Sequence, residues 1–345
     1  MNVLMTADTV GGVWTYAMEL TRALPTVRFT LATMGRKPSD GQRAEVSKNV
    51  ELVESEYRLE WQDDPWRDVD ASGDWLLELE RQTKPDVVHL NGYSHGALPF
   101  RARTLVVAHS CVMSWWRAVK SEDAPDDWRA YRERVELGLA SATLIAAPSA
   151  HMLAALDQSY RFPTPRRLIY NGRRFTPSTG HGHRASVFAA GRLWDEAKNL
   201  RAVVEAAPSI DWPVRIAGDG GASSANVTYL GWLEPSDLAK AYGESAIYLF
   251  PALYEPFGLS VLEAALSGCA LILGDIPSLR EIWRDAAIFV PSRDPDAIAR
   301  VTNEVIGNAS LRHELGQRAR QRAAQFTAEA MAARYRATYE ELSAT

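Results

Sequence analysis

Short apolar runs alternate with longer polar or amphipathic stretches along most of this chain, and that alternation predicts its elements. Asn2–Thr6 reads as a strand, Gly11-Gly12 as a turn and Trp14–Leu24 as a helix. Further runs at Arg28–Thr33, Asp86–Leu90, Thr104–Ala108 and Thr143–Ala147 are short and continuously apolar. Such runs suit strands buried on both faces, as in a parallel sheet. Lys84-Pro85-Asp86 and Ala147-Pro148-Ser149 punctuate strand ends, and Ser149 suits the cap of a helix reaching Asp157. Strands separated by helical or polar segments predict an α/β sheet with helices on both faces.

The alternation breaks at Asn171–Arg184, where glycine, proline and histidine are mixed. This stretch reads as a linker. Alternation resumes with a strand at Ser186–Ala190, a helix at Asn199–Ala207 and strands at Val214–Ala217, Ala246–Pro251 and Ala270–Leu273. A helix at Gly258–Ser267 lies between the last two strands, and Pro295–Ser343 is almost all helical. The expected organisation is a first α/β domain over residues 1–171, a linker over 172–184 and a second α/β domain over 185–326. Tyr57–Trp75, with three tryptophans and many acids, is expected to be a loop with short helices.

Composition narrows the classes. The 345 residues suit two ordinary domains, and 46% apolar with 23% charged residues is enough to build both cores. A net charge of -5 argues against a nucleic-acid binder. Cys111 and Cys269 are too few for a zinc site or a disulfide framework, so a reducing cytosol is the expected compartment. Met1–Thr6 runs straight into a strand pattern, so no signal peptide is expected, and no apolar run has membrane-spanning length. Of eleven tryptophans, seven precede the linker, and at least half of those are expected in the core.

The chemistry concentrates in Tyr254-Glu255-Pro256-Phe257-Gly258-Leu259-Ser260-Val261-Leu262-Glu263. It follows an apolar strand, turns at Gly258 and enters a helix. Free amides and partial positive charge at a helix start suit a phosphate. Leu259, Leu262 and Leu266 have core spacing. Glu255 precedes the helix and Glu263 lies more than a turn inside it, so the two carboxylates can meet different parts of one extended ligand.

On this segment the chain resembles the retaining glycosyltransferases of family 4 (glycosyl transferases group 1). The resemblance implies the GT-B fold, two Rossmann-like domains whose parallel sheets face a central cleft. It implies that Glu255 contacts the donor sugar and stabilises positive charge near the anomeric carbon, that Glu263 holds the ribose, and that amides of Phe257, Gly258, Leu259 and Ser260 hold sugar and phosphate oxygens. Ala190-Gly191-Arg192-Leu193-Trp194-Asp195-Glu196-Ala197-Lys198-Asn199 matches the family at Arg192 and Lys198, cations expected to neutralise the departing diphosphate without a metal. Thr9-Val10-Gly11-Gly12-Val13 resembles the family's double-glycine loop, where glycine lets backbone approach the donor phosphates.

His109, at the end of Thr104–Ala108, matches the family's histidine near the transferred sugar, although Ser110 stands where members often carry aspartate. Gly218, in Ala-Gly-Asp-Gly, and Gly231-Trp232, in Leu-Gly-Trp, match loops near the donor and its base. His95, in an expected cleft loop, and Trp115-Trp116 are candidates for the acceptor side; His89 reads as a satisfied strand histidine. The family's last helix, about 327–345 here, is expected to cross back to the first domain.

The function expected is metal-independent transfer of a hexose from a nucleoside diphosphate sugar, UDP-linked first and GDP-mannose next, with retention of configuration. The acceptor class, saccharide, lipid-linked or small molecule, stays open, as do peripheral membrane contact and oligomeric state. Neither a metal nor another cofactor is expected. Asp68-Val-Asp70 and Asp294-Pro-Asp296 superficially resemble metal-binding acid pairs but read as exposed acids. An epimerase or phosphorylase on the same fold, or a non-catalytic sugar- or nucleotide-binding protein, are the alternatives. A NAD oxidoreductase is disfavoured, because neither glycine loop has the required spacing.

Overall fold

The computed structural model describes residues 1–178, 185–218, 220–221 and 225–344. The expected linker segment 179–184 therefore lies outside the described residues. The chain divides into two compact units. Unit 1 comprises Met1–Arg117, Glu122–Gly172 and Ala328–Thr345; unit 2 comprises Ala118–Ser121 and Arg173–Thr327.

Unit 1 runs β1 (Asn2–Asp8), α1 (Gly12–Ala23), β2 (Arg28–Met34), α2 (Asp40–Ala44), β3 (Val50–Glu54), α3 (Trp66–Thr83), β4 (Val87–Leu90), β5 (Arg103–Val107), α4 (Val112–Lys120), α5 (Arg129–Ser141), β6 (Leu144–Ala147), α6 (Ala150–Ser159) and β7 (Arg166–Leu168). Its seven strands are ordered β3-β2-β1-β4-β5-β6-β7, and all their pairings are parallel. Alternate residues of one strand serve opposite faces. Val3, Met5, Leu105, Val107 and Ala146 pack with α1, whereas Leu4, Val106 and Ile145 pack with α3, α5 and α6. A sheet so covered has no solvated face, which is why its central strands are apolar at consecutive positions.

Unit 2 runs β8 (Val187–Ala190), α7 (Leu200–Ala206), β9 (Val214–Ala217), β10 (Val227–Gly231), α8 (Pro235–Gly243), β11 (Ile247–Phe250), α9 (Leu259–Leu266), β12 (Ala270–Gly274), α10 (Pro277–Trp283), β13 (Ile288–Val290), α11 (Pro295–Gly307) and α12 (Ala309–Ala323). Its order is β10-β9-β8-β11-β12-β13, again parallel. One face packs aliphatic side chains of β8, β9, β11 and β12 against α7, α11 and α12. On the other, Phe188, Tyr242 and Tyr248 form an aromatic cluster with centroids 5.1–6.0 Å apart. The last helix, α13 (Ala328–Ser343), belongs to unit 1. Its Met331, Ala332, Tyr335, Tyr339 and Leu342 join the core formed by α1, β1 and β2.

Several expectations are corrected. Tyr57–Trp75 is not all loop, because the eighteen-residue α3 begins at Trp66. Its buried positions Val69, Ser72, Gly73, Leu76 and Leu79 follow helical spacing, whereas Asp70 and Asp74 are exposed; two small residues on the buried face hid the pattern. Strands β3, β7 and β13 were not legible, and each lies at a sheet edge, where a continuous apolar run is not required. In α9 the buried residues are Val261, Leu262, Glu263, Ala264 and Ala265, while Leu259 and Leu266 are only half-buried. Of the seven early tryptophans, Trp14 is buried and Trp66, Trp75 and Trp128 pack against the core, but Trp61 is exposed.

In unit 1, α5 crosses the short turn at Ser94–Ala97 through two glycines. A Cβ on Gly138 would stand 2.0 Å from the Tyr93 carbonyl oxygen, and one on Gly96 would stand 2.4 Å from the Gly138 carbonyl oxygen. Helix propensity alone predicts that Gly138→Ala stabilises α5 by up to about 1 kcal/mol. The backbone contact reverses that sign, and the substitution should instead destabilise the protein by about 1–3 kcal/mol. A urea titration of the variant decides between the two.

Candidate active site

In a doubly wound sheet, ligands bind beyond the carboxyl ends of the strands where the strand order reverses. In unit 2 that point lies between β8 and β11. The loops after these strands carry the residues singled out above, and they meet. Lys198 Nζ lies 2.7 Å from Glu255 Oε2, with 20% and 14% of the two side chains exposed. The Lys198 ammonium also lies 6.0 Å from the Phe250 ring centroid. Asn199 pins the two loops by donating from Nδ2 to the carbonyls of Pro251 (2.8 Å) and Ser292 (2.6 Å). Leu253 N–H donates to the Ala197 carbonyl at 2.8 Å. Ser278 Oγ donates to the Glu255 carbonyl at 2.6 Å. The half-buried ion pair thus rests on hydrogen-bonded backbone, and deleting one partner costs on the order of 1–3 kcal/mol because the other charge is left partly desolvated.

Arg192 stands on the same loop. Its Nη2 lies 2.7 Å from Asp195 Oδ2, and its guanidinium lies 4.8 Å from the Trp194 ring centroid. Asp195 also accepts from Ala197 N–H at 3.1 Å, so it braces both the loop and the cation. Gly218 closes the neighbouring loop. Its N–H donates to the Gly231 carbonyl at 2.9 Å, and its φ is +149°. A Cβ there would lie 2.0 Å from the Gly191 carbonyl oxygen, so the sheet end tolerates only glycine at this position. Gly231 follows on, and Trp232 is 69% exposed beside it.

After β11 the chain turns at Gly258, whose φ of +89° lies in the left-handed region. No side-chain hydrogen bond caps α9, whose first turn carries the partial positive charge of a helix start. Leu259 and Ser260, the first residues of that turn, are half-buried. The Phe257 amide, expected to face a ligand, donates instead to Glu255 Oε1 at 3.3 Å. Its ring is buried edge-on against Phe326, with centroids 5.6 Å apart. Glu263 is buried, and its Oε1 lies 2.7 Å from Arg173 Nε.

In unit 1 the order reverses between β1 and β4. The loop after β1 carries Gly11 and Gly12. It is held by Thr9 Oγ1 donating to the Arg36 carbonyl (2.6 Å) and Gln42 Nε2 donating to the Thr9 carbonyl (3.1 Å). Gly11, with φ -160°, is extended backbone and precedes α1, which no side chain caps. His109 follows β5. Its Nε2 lies 2.8 Å from Asn91 Oδ1, and its ring meets Tyr16 edge-on at 4.6 Å between centroids. His109 is half-buried, and burial pushes its pKa down to about 3. His89 is fully buried as expected, against Tyr339, Asn91 and Tyr16, and burial followed by the nearby His109 lowers its pKa to about 3.

His95 does not lie in an open loop. It is buried under α3, with Nε2 3.0 Å from both the Val69 carbonyl and Ser72 Oγ, and desolvation lowers its pKa. The acceptor role expected of it has no support in this geometry. Trp115 and Trp116 sit half-buried on α4, edge to face at 5.8 Å. The acid pairs are structural: Asp70 pairs with Arg134 at 2.5 Å, Asp68 accepts from Arg58 N–H, and Asp294 caps α11 through Ala297 N–H. Among the described residues, no three His, Cys, Asp or Glu side chains gather as a metal site would require. No described helix is long and apolar enough to cross a membrane. Cys111 and Cys269 are buried free thiols.

Comparison with known proteins gives this geometry a family. The family "Glycosyl transferases group 1" matches residues 178–322, and "Glycosyltransferase Family 4" matches 10–174. The chain belongs to the group 1, family 4 glycosyltransferases. The serotype-specific mannosyltransferase WbdA of Escherichia coli is 34% identical over 116 residues, 33% of this chain and 14% of that protein. The chain thus aligns with only a small part of such relatives' length. Among solved structures, sucrose-phosphate synthase from Thermosynechococcus elongatus superposes with TM-score 0.85 at 19% identity, covering 100% of this chain and 99% of that one. Anabaena HepE in complex with UDP-glucose superposes with TM-score 0.76 at 14% identity, covering 99% and 100%. The GT-B fold class expected from the sequence is the one found.

The sequence did not single out Arg173, Asn91 and Asp195, which hold Glu263, His109 and Arg192. Asn91 was visible as a polar residue directly after β4, and Asp195 within the loop that follows β8. Arg173 carried no signal, because its partner lies 90 residues away.

Both histidines favour the neutral ring, so their effect on stability has a defined sign. Below the ordinary value of 6.5 the unfolded chain binds a proton at each site that the folded chain refuses until about pH 3. Their stabilising contribution is complete above pH 6.5 and is lost as pH falls towards 3. Denaturant midpoints followed across this window should fall with acidification, and His109→Gln should flatten the slope by roughly one proton, or about 1.4 kcal/mol per pH unit.

Proposed function

We propose that the chain transfers a hexose from a nucleoside diphosphate sugar to a hydroxyl acceptor, with retention of anomeric configuration and without a metal. The observation that carries this reading is the cluster in unit 2. Lys198 and Arg192 are held by Glu255 and Asp195 at the carboxyl end of β8, where the uncapped start of α9 also lies at the end of β11. When the C1–O bond of the donor breaks, its electron pair goes to the terminal phosphate oxygen. Two fixed cations and a helix start are suited to that growing charge. Glu255 stabilises the positive charge developing at C1. Glu263, oriented by Arg173, takes the ribose hydroxyls. The acceptor hydroxyl oxygen bonds to C1 on the face the phosphate leaves, and its proton passes to a phosphate oxygen.

Gly231 and Trp232 are assigned to the nucleotide base, and the exposure of Trp232 supports that assignment. UDP-hexose is favoured as donor. GDP-mannose is the second reading, because the curated relatives are named as mannosyltransferases. His109, neutral and half-buried, contacts a sugar hydroxyl; Gly11 and Gly12 approach phosphate through backbone, and Trp115 and Trp116 serve the acceptor side.

Titration with UDP, UDP-glucose, GDP and GDP-mannose, followed by donor turnover with and without a chelator, tests the proposal. One nucleotide series should bind, and chelation should leave turnover unchanged. Lys198→Ala and Arg192→Ala should each lower kcat by about 100- to 1,000-fold. Glu263→Ala should mainly weaken nucleotide binding, by about tenfold, as expected for a lost hydrogen-bonded charge. An inverted product anomer, or full activity in all three variants, would contradict the assignment.

A further inference from the structure

The amide of Asn91 has one orientation that its surroundings permit. On one side it faces the backbone carbonyl of Thr6 at 2.6 Å, and on the other it faces two imidazole nitrogens, His109 Nε2 at 2.8 Å and His89 Nε2 at 3.2 Å. A carbonyl oxygen only accepts, so the nitrogen of the amide must face Thr6 and the oxygen must face the histidines. The Asn91 backbone N–H donates to Thr6 Oγ1 at 2.9 Å and holds the residue there. An amide oxygen only accepts as well, so His109 Nε2, which faces only that oxygen among the described residues, carries hydrogen. His89 Nε2 is shared between the Asn91 oxygen and the Tyr16 hydroxyl at 3.3 Å, and its Nδ1 lies 2.6 Å from the Tyr339 hydroxyl. The direction of the Asn91–His109 hydrogen bond is therefore set by one backbone carbonyl of β1.

The consequence falls on His109. With Nε2–H committed to Asn91, its Nδ1 is left as a lone pair with no partner among the described residues. We propose that Asn91 is a positioning residue, which fixes His109 as the Nε2–H tautomer and so makes it a hydrogen-bond acceptor, never a donor, towards a sugar hydroxyl. The role rests on the transferase reading, but the tautomer does not. The opposite tautomer would place a lone pair against the Asn91 oxygen and would turn an N–H towards the ligand. A neutral imidazole is free to choose either form in water, and it is the neighbouring hydrogen bond that decides. His89 and Tyr339 are the second anchor of the same amide oxygen, so α13 contributes to the site without reaching it.

Two-bond proton–nitrogen correlation spectra of the full-length 15N-labelled protein at neutral pH read the tautomer directly, with His89→Gln and His109→Gln supplying assignments. The wild-type ring of His109 should show the Nε2–H pattern. Asn91→Leu, which keeps the volume and removes the acceptor, should shift His109 towards Nδ1–H. With UDP-glucose and GDP-mannose as probes, the same variant should lower kcat of donor turnover more than tenfold while leaving KM for the donor within about threefold. A wild-type His109 found as Nδ1–H overturns the proposal, and needs no folded variant to do so. An unchanged tautomer or an unchanged kcat in Asn91→Leu also overturns it. If neither nucleotide sugar is turned over, the transferase reading fails separately, and the spectra still decide the tautomer.

Discussion

Two opposite charges meeting at the carboxyl end of a parallel sheet are what the rest of unit 2 supports. Lys198 and Glu255 are 57 residues apart in sequence and 2.7 Å apart in space, and each is largely withdrawn from water. A lone cation at that depth would be costly to desolvate; a paired one is both tolerable and already aimed. The parallel arrangement makes the meeting unavoidable. Because β8 and β11 are neighbours running in the same direction, the loops that follow them leave the sheet side by side. Asn199 adds two side-chain donations, one to the Pro251 carbonyl after β11 and one to the Ser292 carbonyl after β13.

The same logic organises unit 1 with different chemistry. There the residues beyond the switch-point strands are neutral and hydrogen-bonded: Asn91 after β4, His109 after β5 and the glycine loop after β1. Aromatic packing from α1 and α13 keeps water from His89, with Tyr335 stacked on it at 5.5 Å, while His109, edge-on to Tyr16, is half-buried. Burial therefore makes neutral acceptors and donors in one unit and prealigned charges in the other. The first suits sugar hydroxyls, and the second suits phosphate.

Legibility followed burial. Central strands were visible because both their faces are covered and their residues are apolar in succession. The edge strands were not: β3 and β7 carry charged residues, and β7 and β13 are only three residues long. The long α3 was obscured because Ser72 and Gly73 occupy its buried face, where the contact with the Ser94–Ala97 region leaves room only for small groups. Among site residues, Glu255, Glu263, Arg192 and Lys198 stood out through the resemblance of their segments to the family. His95 was read into a cleft loop and His109 at the end of a strand; His95 is buried beneath α3, whereas His109 is half-buried after β5.

Local pattern by itself determined the α/β class, the restart of alternation after residue 171, and the strand-to-helix turn at Gly258. These follow from periodicity and turn residues, which report geometry over a few positions of chain. Tertiary structure alone decided which charges are partners: Arg173 with Glu263 and Lys198 with Glu255. It alone buried His95 beneath α3 and gave Asn91 its single orientation against the Thr6 carbonyl. Those outcomes depend on strand order and on which helix covers which face. Neither leaves a trace in the spacing of residues along one segment, because the atoms that impose them come from elsewhere in the chain.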